Sequence, residues 1–266
     1  MSNNSTRKTL TVALGVCLVC SIMVSAAAVS LSKIQKENKR RDKFKNILQA
    51  GDLYTDSTKV EETFRRAIQP QMIDLETGEV VDPVFSDKLN VETFDIRAIA
   101  MDPELGVAVA QNKDLGQIKR KPRYMAVYPV VQNGEMVKII LPIYGKGLWS
   151  TMYGFLALNR DLRTIDGFTF YEHGETPGLG GEVDNPKWKS LWRGKAAFDD
   201  QGQVVIQVIK GQTDPGDPSA GHQIDGLSGA TITTRGVDQL VKFWLGDQGY
   251  GPFLNKLREA KRDAQS

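Results

Sequence analysis

The chain has 266 residues, of which 41% are hydrophobic, 25% charged and 8% aromatic, the balance of a folded protein and not of a disordered or collagen-like one. Its 34 Lys and Arg against 32 Asp and Glu leave a formal net charge of +2, which excludes a polyanion as the default partner, so no nucleic acid is expected. The two cysteines, Cys17 and Cys20, fall in the most apolar stretch, which excludes thiol nucleophiles, cysteine-based zinc sites and cysteine-ligated clusters from the globular part; His173 and His222 are the only histidines, too few to favour a multi-histidine zinc or haem site, and no metal site is expected.

From Leu10 to Leu31 the chain reads LTVALGVCLVCSIMVSAAAVSL, about 22 residues without a charge. At ~1.5 Å per residue such a helix spans the ~30 Å hydrocarbon core of a bilayer. A cleaved secretory signal is the competing reading, because Arg7 and Lys8 precede the run and Ala26-Ala27-Ala28 resembles a cleavage site. The length of the run and the charged helical continuation after it favour a membrane anchor. Lys33, Lys36, Lys39, Arg40, Arg41, Lys43 and Lys45 follow the span, and the positive-inside rule puts them in the cytoplasm. A large domain after a first span is translocated whatever its charge, so the arithmetic leaves the side open. Residues 1–9 then form a short N-terminus, 10–31 the transmembrane helix, and 32–120 a stalk with a membrane-proximal α+β region.

The helical composition of Lys33 to Ala50 ends at Gly51, and a second helix over Ser57 to Ala67 opens with Ser57 as N-cap and stops before Pro70. Met72 to Val81, with its DLETGEV turn, reads as a hairpin, whereas Phe85 to Lys119 is too weakly patterned to assign elements. Strand signals follow at Tyr124–Val131, Val137–Tyr144, Thr164–Glu172, Lys195–Phe198 and Val204–Ile209. Val237, Leu240, Val241, Trp244 and Leu245 then repeat at the spacing of one apolar helix face. Strands and helices without regular βαβ alternation predict an α+β fold with a mainly antiparallel sheet, its principal domain at 121–256 and a tail at 257–266.

Two segments carry the chemistry. Asp225-Gly226-Leu227-Ser228-Gly229-Ala230-Thr231-Ile232-Thr233 places small residues and hydroxyls directly before the amphipathic helix, whose first turn offers unpaired N–H groups and partial positive charge to an anion. An ordinary cap built from Ser or Thr is the plainer reading. Glu172-His173-Gly174-Glu175-Thr176-Pro177-Gly178-Leu179-Gly180 combines turn-forming glycines, a stiffening proline and two hydrogen-bonding side chains, Glu175 and Thr176; by itself a surface turn is its plainer reading.

The first segment resembles the S-G-A-T flavinylation motif of the FMN-binding domain family, with the upstream acid at Asp225, and the second resembles that family's E-T-P-G-L-G loop. The resemblance implies FMN joined to Thr231 by a phosphoester bond, installed by a flavin transferase that uses FAD, within a motif that includes Asp225, Ser228, Gly229 and Ala230. The loop residues Glu175, Thr176, Gly178 and Leu179 are expected to wall the pocket, Leu179 packing on the isoalloxazine and Thr176 contacting its polar edge. Trp149 is expected to flank the ring and Lys210 to neutralise phosphate, against readings as a buried aromatic and a solvated strand-end charge; His173 is expected to be a loop histidine.

Gly145-Lys146-Gly147-Leu148-Trp149-Ser150 with Met152-Tyr153-Gly154, and Phe243 to Leu254, are similar to the C-type subunits of the sodium-translocating NADH:quinone oxidoreductases. That resemblance implies a single-pass protein of the bacterial inner membrane with a periplasmic flavin domain. Its partners are the other subunits of the complex, and it relays electrons while NADH oxidation by quinone drives sodium export. The G-type subunit of ferredoxin–NAD electron-transfer complexes shares motif and anchor and is the nearest alternative; a flavin-free anchored binding protein is the other. No GxGxxG fingerprint lies between a strand and a helix, so NADH itself is not expected to bind this chain.

Overall fold

The computed structural model describes residues 3–82 and 86–263. The chain divides into two compact units, 1–43 and 44–266. Helix α1 (Asn3–Ala50) begins in the first. Leu10, Val12, Leu14, Val16, Leu18, Val19, Ile22, Met23, Val24, Val29 and Leu31 are all exposed along it, and the helix is long and apolar enough to cross a membrane. Apolar side chains exposed on every face suit a lipid surrounding, where a helix satisfies its own backbone. Cys17 and Cys20 lie on it, exposed and unbonded.

In the second unit the last turns of α1 bury Phe44, Ile47, Leu48 and Ala50. Phe44 stacks on Phe64 of helix α2 (Val60–Ala67), with ring centroids 3.8 Å apart. The α1 end is a Schellman arrangement in which Leu53 N–H donates to Leu48 O (2.8 Å) and Asp52 N–H to Gln49 O (3.2 Å). The left-handed residue is Asp52 (φ 56°), while Gly51 sits where a Cβ would meet Ile140 Cδ1 at 2.7 Å. Ser57 is not the N-cap of α2. Lys59 is, without a side-chain bond, because the hydroxyls of Thr55, Ser57 and Thr58 bond one another in the preceding turn.

The main sheet contains β1 (Gln71–Asp74), β2 (Val80–Val81), β5 (Tyr124–Gln132), β6 (Glu135–Lys146), β7 (Thr151–Asn159) and β8 (Ile165–Glu172) in the order β2-β1-β5-β6-β7-β8, every pair antiparallel. The protein is thus α+β with an antiparallel sheet. The expected hairpin over 72–81 forms, and β1 pairs with β5, so one sheet continues across residue 120. Between them, helix α3 (Ile96–Met101) and the ladder of β3 (Gly106–Ala108) with β4 (Arg120–Pro122) occupy a stretch whose pattern predicted nothing. Strand β7 escapes the pattern for a physical reason: Gly154 to Leu158 are buried in succession, so the run is apolar without alternating.

Two expected strands are corrected. Residues 195–198 form only single bridges, Thr164 to Ala196 and Phe198 to Val204, and 204–209 contribute only β9 (Gln207–Val208), which pairs in parallel with β10 (Gln223–Ile224). The backbone there bonds to loops instead, as where Ala196 N–H donates to Gly221 O. After the short helix α4 (Pro186–Ser190), helix α5 (Thr231–Leu245) crosses the end of β6. Trp244 Nε1 donates to Tyr144 O (2.6 Å). Glycines permit the approach, since a Cβ on Gly145 would meet Leu240 Cβ at 2.5 Å and one on Gly236 would strike Lys146 O. Helix α6 (Gly251–Asp263) buries Phe253 and Leu254 and half-buries Leu257, so most of the stretch expected as a tail is helix.

Candidate functional site

Helix α5 starts without a cap. Its N-cap residue is Ala230, no side chain among the described residues accepts from the first turn, and the first intrahelical bond is Thr234 N–H to Ala230 O (2.9 Å). Neither Ser228 nor Thr231 serves as the cap, so the plainer reading of the segment is corrected. Thr231 is the first helical residue and is exposed, as are Ser228 and Gly229, while Ala230 is buried. Thr234 Oγ1 instead accepts from Leu227 N–H (3.0 Å), tying the start of the helix back to the loop before it. The α5 start therefore presents an exposed hydroxyl beside uncapped N–H groups, a setting that favours an anion.

Asp225 braces this loop. Its Oδ1 accepts from Thr213 N–H (2.8 Å) and its carbonyl from Trp188 Nε1 (2.8 Å). Gly226 N–H donates to Gly211 O (2.8 Å), which brings exposed Lys210 beside the motif backbone; no hydrogen bond joins Lys210 to Thr231 among the described residues.

The second motif is a type II turn with Pro177 at its second position and Gly178 at its third (φ 77°), closed by Leu179 N–H to Thr176 O (3.1 Å). Thr176 is exposed and its carbonyl also accepts from Gly181 N–H (2.9 Å). The turn delivers Leu179 to the first motif, since a Cβ on Gly229 would lie 3.0 Å from Leu179 Cδ2.

Glu175 joins these parts to the Gly147–Ser150 loop. The residue is 5% exposed, and its carboxylate accepts from the N–H groups of Leu148 (3.1 Å), Trp149 (3.0 Å) and Ser150 (3.2 Å), from Thr233 Oγ1 (2.7 Å) and, at 3.5 Å, from Ser150 Oγ. Burial pushes its pKa up, but the bonds from Thr233, Trp149, Ser150 and Leu148 outweigh burial and hold the carboxyl below its ordinary value. His173 supports the arrangement, with Nδ1 accepting from Glu175 N–H (3.2 Å) and Nε2 bonded to Asp184 (2.7 Å), a tautomer assigned from these partners.

Leu148 (39% exposed), Trp149 (66%), Leu179 (45%) and Ile232 (58%) stand out from the segments so joined, an apolar set beside an anion-favouring helix start. Trp149 is exposed and not a buried core aromatic. Thr233, Gly147 and Gly180 were not singled out by sequence: a Cβ on Gly147 would meet Glu175 Oε1 at 2.5 Å and one on Gly180 would meet Thr233 Oγ1 at 2.5 Å. Their signal was only membership of the quoted segments, since one sequence does not reveal a pairing across 58 positions.

Residues 147–246 match the FMN-binding domain family, a span that begins at the Glu175-bound loop and ends just after α5. The chain is 48% identical over 263 residues to the C-type subunit of the Na(+)-translocating NADH-quinone reductase of Pseudomonas aeruginosa, covering 98% of this chain and 99% of that one, and 43% identical to its Vibrio alginolyticus counterpart over 98% of each. The crystal structure of Shewanella oneidensis NqrC superposes with a TM-score of 0.75 at 38% identity, covering 84% of this chain and 99% of that one. Its Parabacteroides distasonis counterpart gives 0.64 at 28% identity over 84% and 96%. The chain belongs to the NqrC family, the C-type subunits of the Na(+)-translocating NADH-quinone reductases.

The residues present fit FMN. An exposed hydroxyl and uncapped N–H groups suit its phosphate, and the exposed indole and aliphatic side chains suit its ring system.

Proposed function

We propose that this chain is the membrane-anchored electron-transfer subunit of a Na(+)-translocating NADH-quinone reductase and carries FMN covalently on Thr231. The observation that carries the reading is the exposed Thr231 hydroxyl at the uncapped start of α5, inside the S-G-A-T segment and beside exposed apolar side chains. Bound there, FMN supplies the redox chemistry, and the protein supplies position and electrostatics.

Thr231 Oγ is the acceptor atom in maturation. Its bond to the flavin-bearing phosphorus of FAD forms as the pyrophosphate bond breaks, AMP leaves, and the hydroxyl proton passes to the transferase. The phosphodiester that results keeps one negative charge, which the α5 dipole and the N–H groups of its first turn favour. Leu148, Trp149, Leu179 and Ile232 offer the ring apolar surface, Thr176 offers its polar edge a hydrogen-bonding group, and Lys210 adds positive charge near the phosphate. Asp225 keeps the loop in place through Thr213 and Trp188. A covalent bond also retains the cofactor where free flavin is dilute, since noncovalent occupancy falls with concentration.

The apolar segment of α1 anchors the chain in the bacterial inner membrane, and the domain lies in the periplasm among the other subunits of the complex. A periplasm-dependent reporter fused at the C-terminus is expected to be active; inactivity would reverse the topology. Co-expression with a flavin transferase is expected to add the mass of one FMN less water and to give an in-gel fluorescent band. Thr231→Val is expected to abolish both, and a fluorescent T231V band would reject the site.

A further inference from the structure

Three sequence motifs meet at one buried carboxylate. Of the two buried acids among the described residues, Asp74 has a guanidinium partner in Arg123 (3.0 Å), whereas Glu175 makes no ion pair with any of them and is held only by N–H and O–H donors. Those donors belong to two segments that are remote in sequence, the Leu148–Ser150 loop and the first turn of α5. Gly147 and Gly180 leave the space the carboxylate fills. With five donors on its two oxygens, the Ser150 hydroxyl (3.5 Å) among them, and 5% exposure, Glu175 has little left for a ligand, so its effect on the site passes through what it holds.

We propose that Glu175 is a positioning residue of the flavin seat: bridging the backbone of Leu148, Trp149 and Ser150 to the Thr233 hydroxyl, it fixes Trp149 relative to Thr231 and thereby sets the efficiency of flavin attachment without contacting the flavin. The proposal rests on the flavin reading of Thr231. A glutamine at this position keeps the shape but turns an N–H donor toward groups that are themselves donors, and so breaks the bridge without emptying the space. Among the described residues, the charged groups near Glu175 are Lys146, whose Nζ donates to Trp149 O (3.1 Å), and, on the side of its own backbone, the Asp184–Lys189 pair, with the titratable ring of His173 bonded to Asp184.

The test uses the full chain in detergent, with Trp149 emission taken as the difference from a Trp149→Phe chain and flavin loading followed with FAD and the transferase; circular dichroism of the buried tryptophans reports the fold. In wild type without flavin, Trp149 emission is expected to titrate on acidification, and in Glu175→Gln to be flat. Loading is expected to slow at least tenfold in E175Q and several-fold in Thr233→Val, with Thr233→Ser recovering most of the T233V loss. Wild-type loading by folded E175Q, or an E175Q titration like that of wild type, overturns the proposal. Should E175Q not fold, T233V loading at the wild-type rate overturns it. No loading of wild type refutes the flavin reading and this role with it, while the emission titration still reads the hold of Glu175 on Trp149 by itself.

Discussion

Thr231 and Glu175 sit in the same site with opposite demands on the fold. Thr231 is exposed at the helix start, so Thr231→Val is expected to change stability by less than about 0.5 kcal/mol while removing flavin, measured by denaturant unfolding beside in-gel fluorescence. Glu175→Ala strands the N–H groups of Leu148, Trp149 and Ser150 and is expected to cost on the order of 3 kcal/mol. Because its folded carboxyl lies below the ordinary value, the Glu175 contribution is complete above the unfolded Glu pKa of about 4.3 and is lost as pH falls through the depressed folded value. The wild-type loss of stability in acid should therefore be steeper than that of E175Q; parallel curves would remove the carboxylate from the account.

At the scale of elements, helix α5 does two things: its first turn offers the attachment point, and its body locks onto β6 through Gly145, Gly236 and the Trp244 bond to Tyr144 O. Gly236→Ala pushes a methyl into Lys146 O, next to the loop that Glu175 holds, and is expected to cost roughly 1–3 kcal/mol, read as a drop in melting temperature. The Thr176–Leu179 turn is a milder case. A Cβ on Gly178 meets nothing within 4 Å, so Gly178→Ala carries only the left-handed backbone penalty of about 1 kcal/mol. A larger loss there would mean that the turn is packed more tightly than its open surroundings indicate.

For the whole molecule, residues 44–50 belong to the core of the second unit although they complete the helix that carries the apolar segment. A chain beginning at Phe44 is expected to fold cooperatively. One beginning at Asp52 lacks Phe44, Ile47 and Leu48, loses the Phe44–Phe64 stack, and is expected to be less stable by on the order of 5 kcal/mol or more, measured by urea unfolding. Equal stability of the two would place the core boundary after Gly51.

Local chemistry was legible without coordinates: the apolar segment, the end of α1 near Gly51, the 72–81 hairpin, strands β5, β6 and β8, and the apolar face of α5 are contiguous patterns whose periodicity needs no partner to be seen. The motif segments at 172–180 and 225–233 were legible as contiguous strings of turn-forming and hydroxyl residues, and their flavin reading came from the family resemblance alone. Strand β7 was hidden because burial on both faces erases alternation, and the Ser57 cap failed because neighbouring hydroxyls satisfied one another. Only the folded chain could decide that Glu175 bonds Thr233 and the Leu148–Ser150 loop, or that Gly229 faces Leu179. A hydrogen bond between remote residues is set by how sheet and helix pack, and it leaves no periodic trace along a single chain.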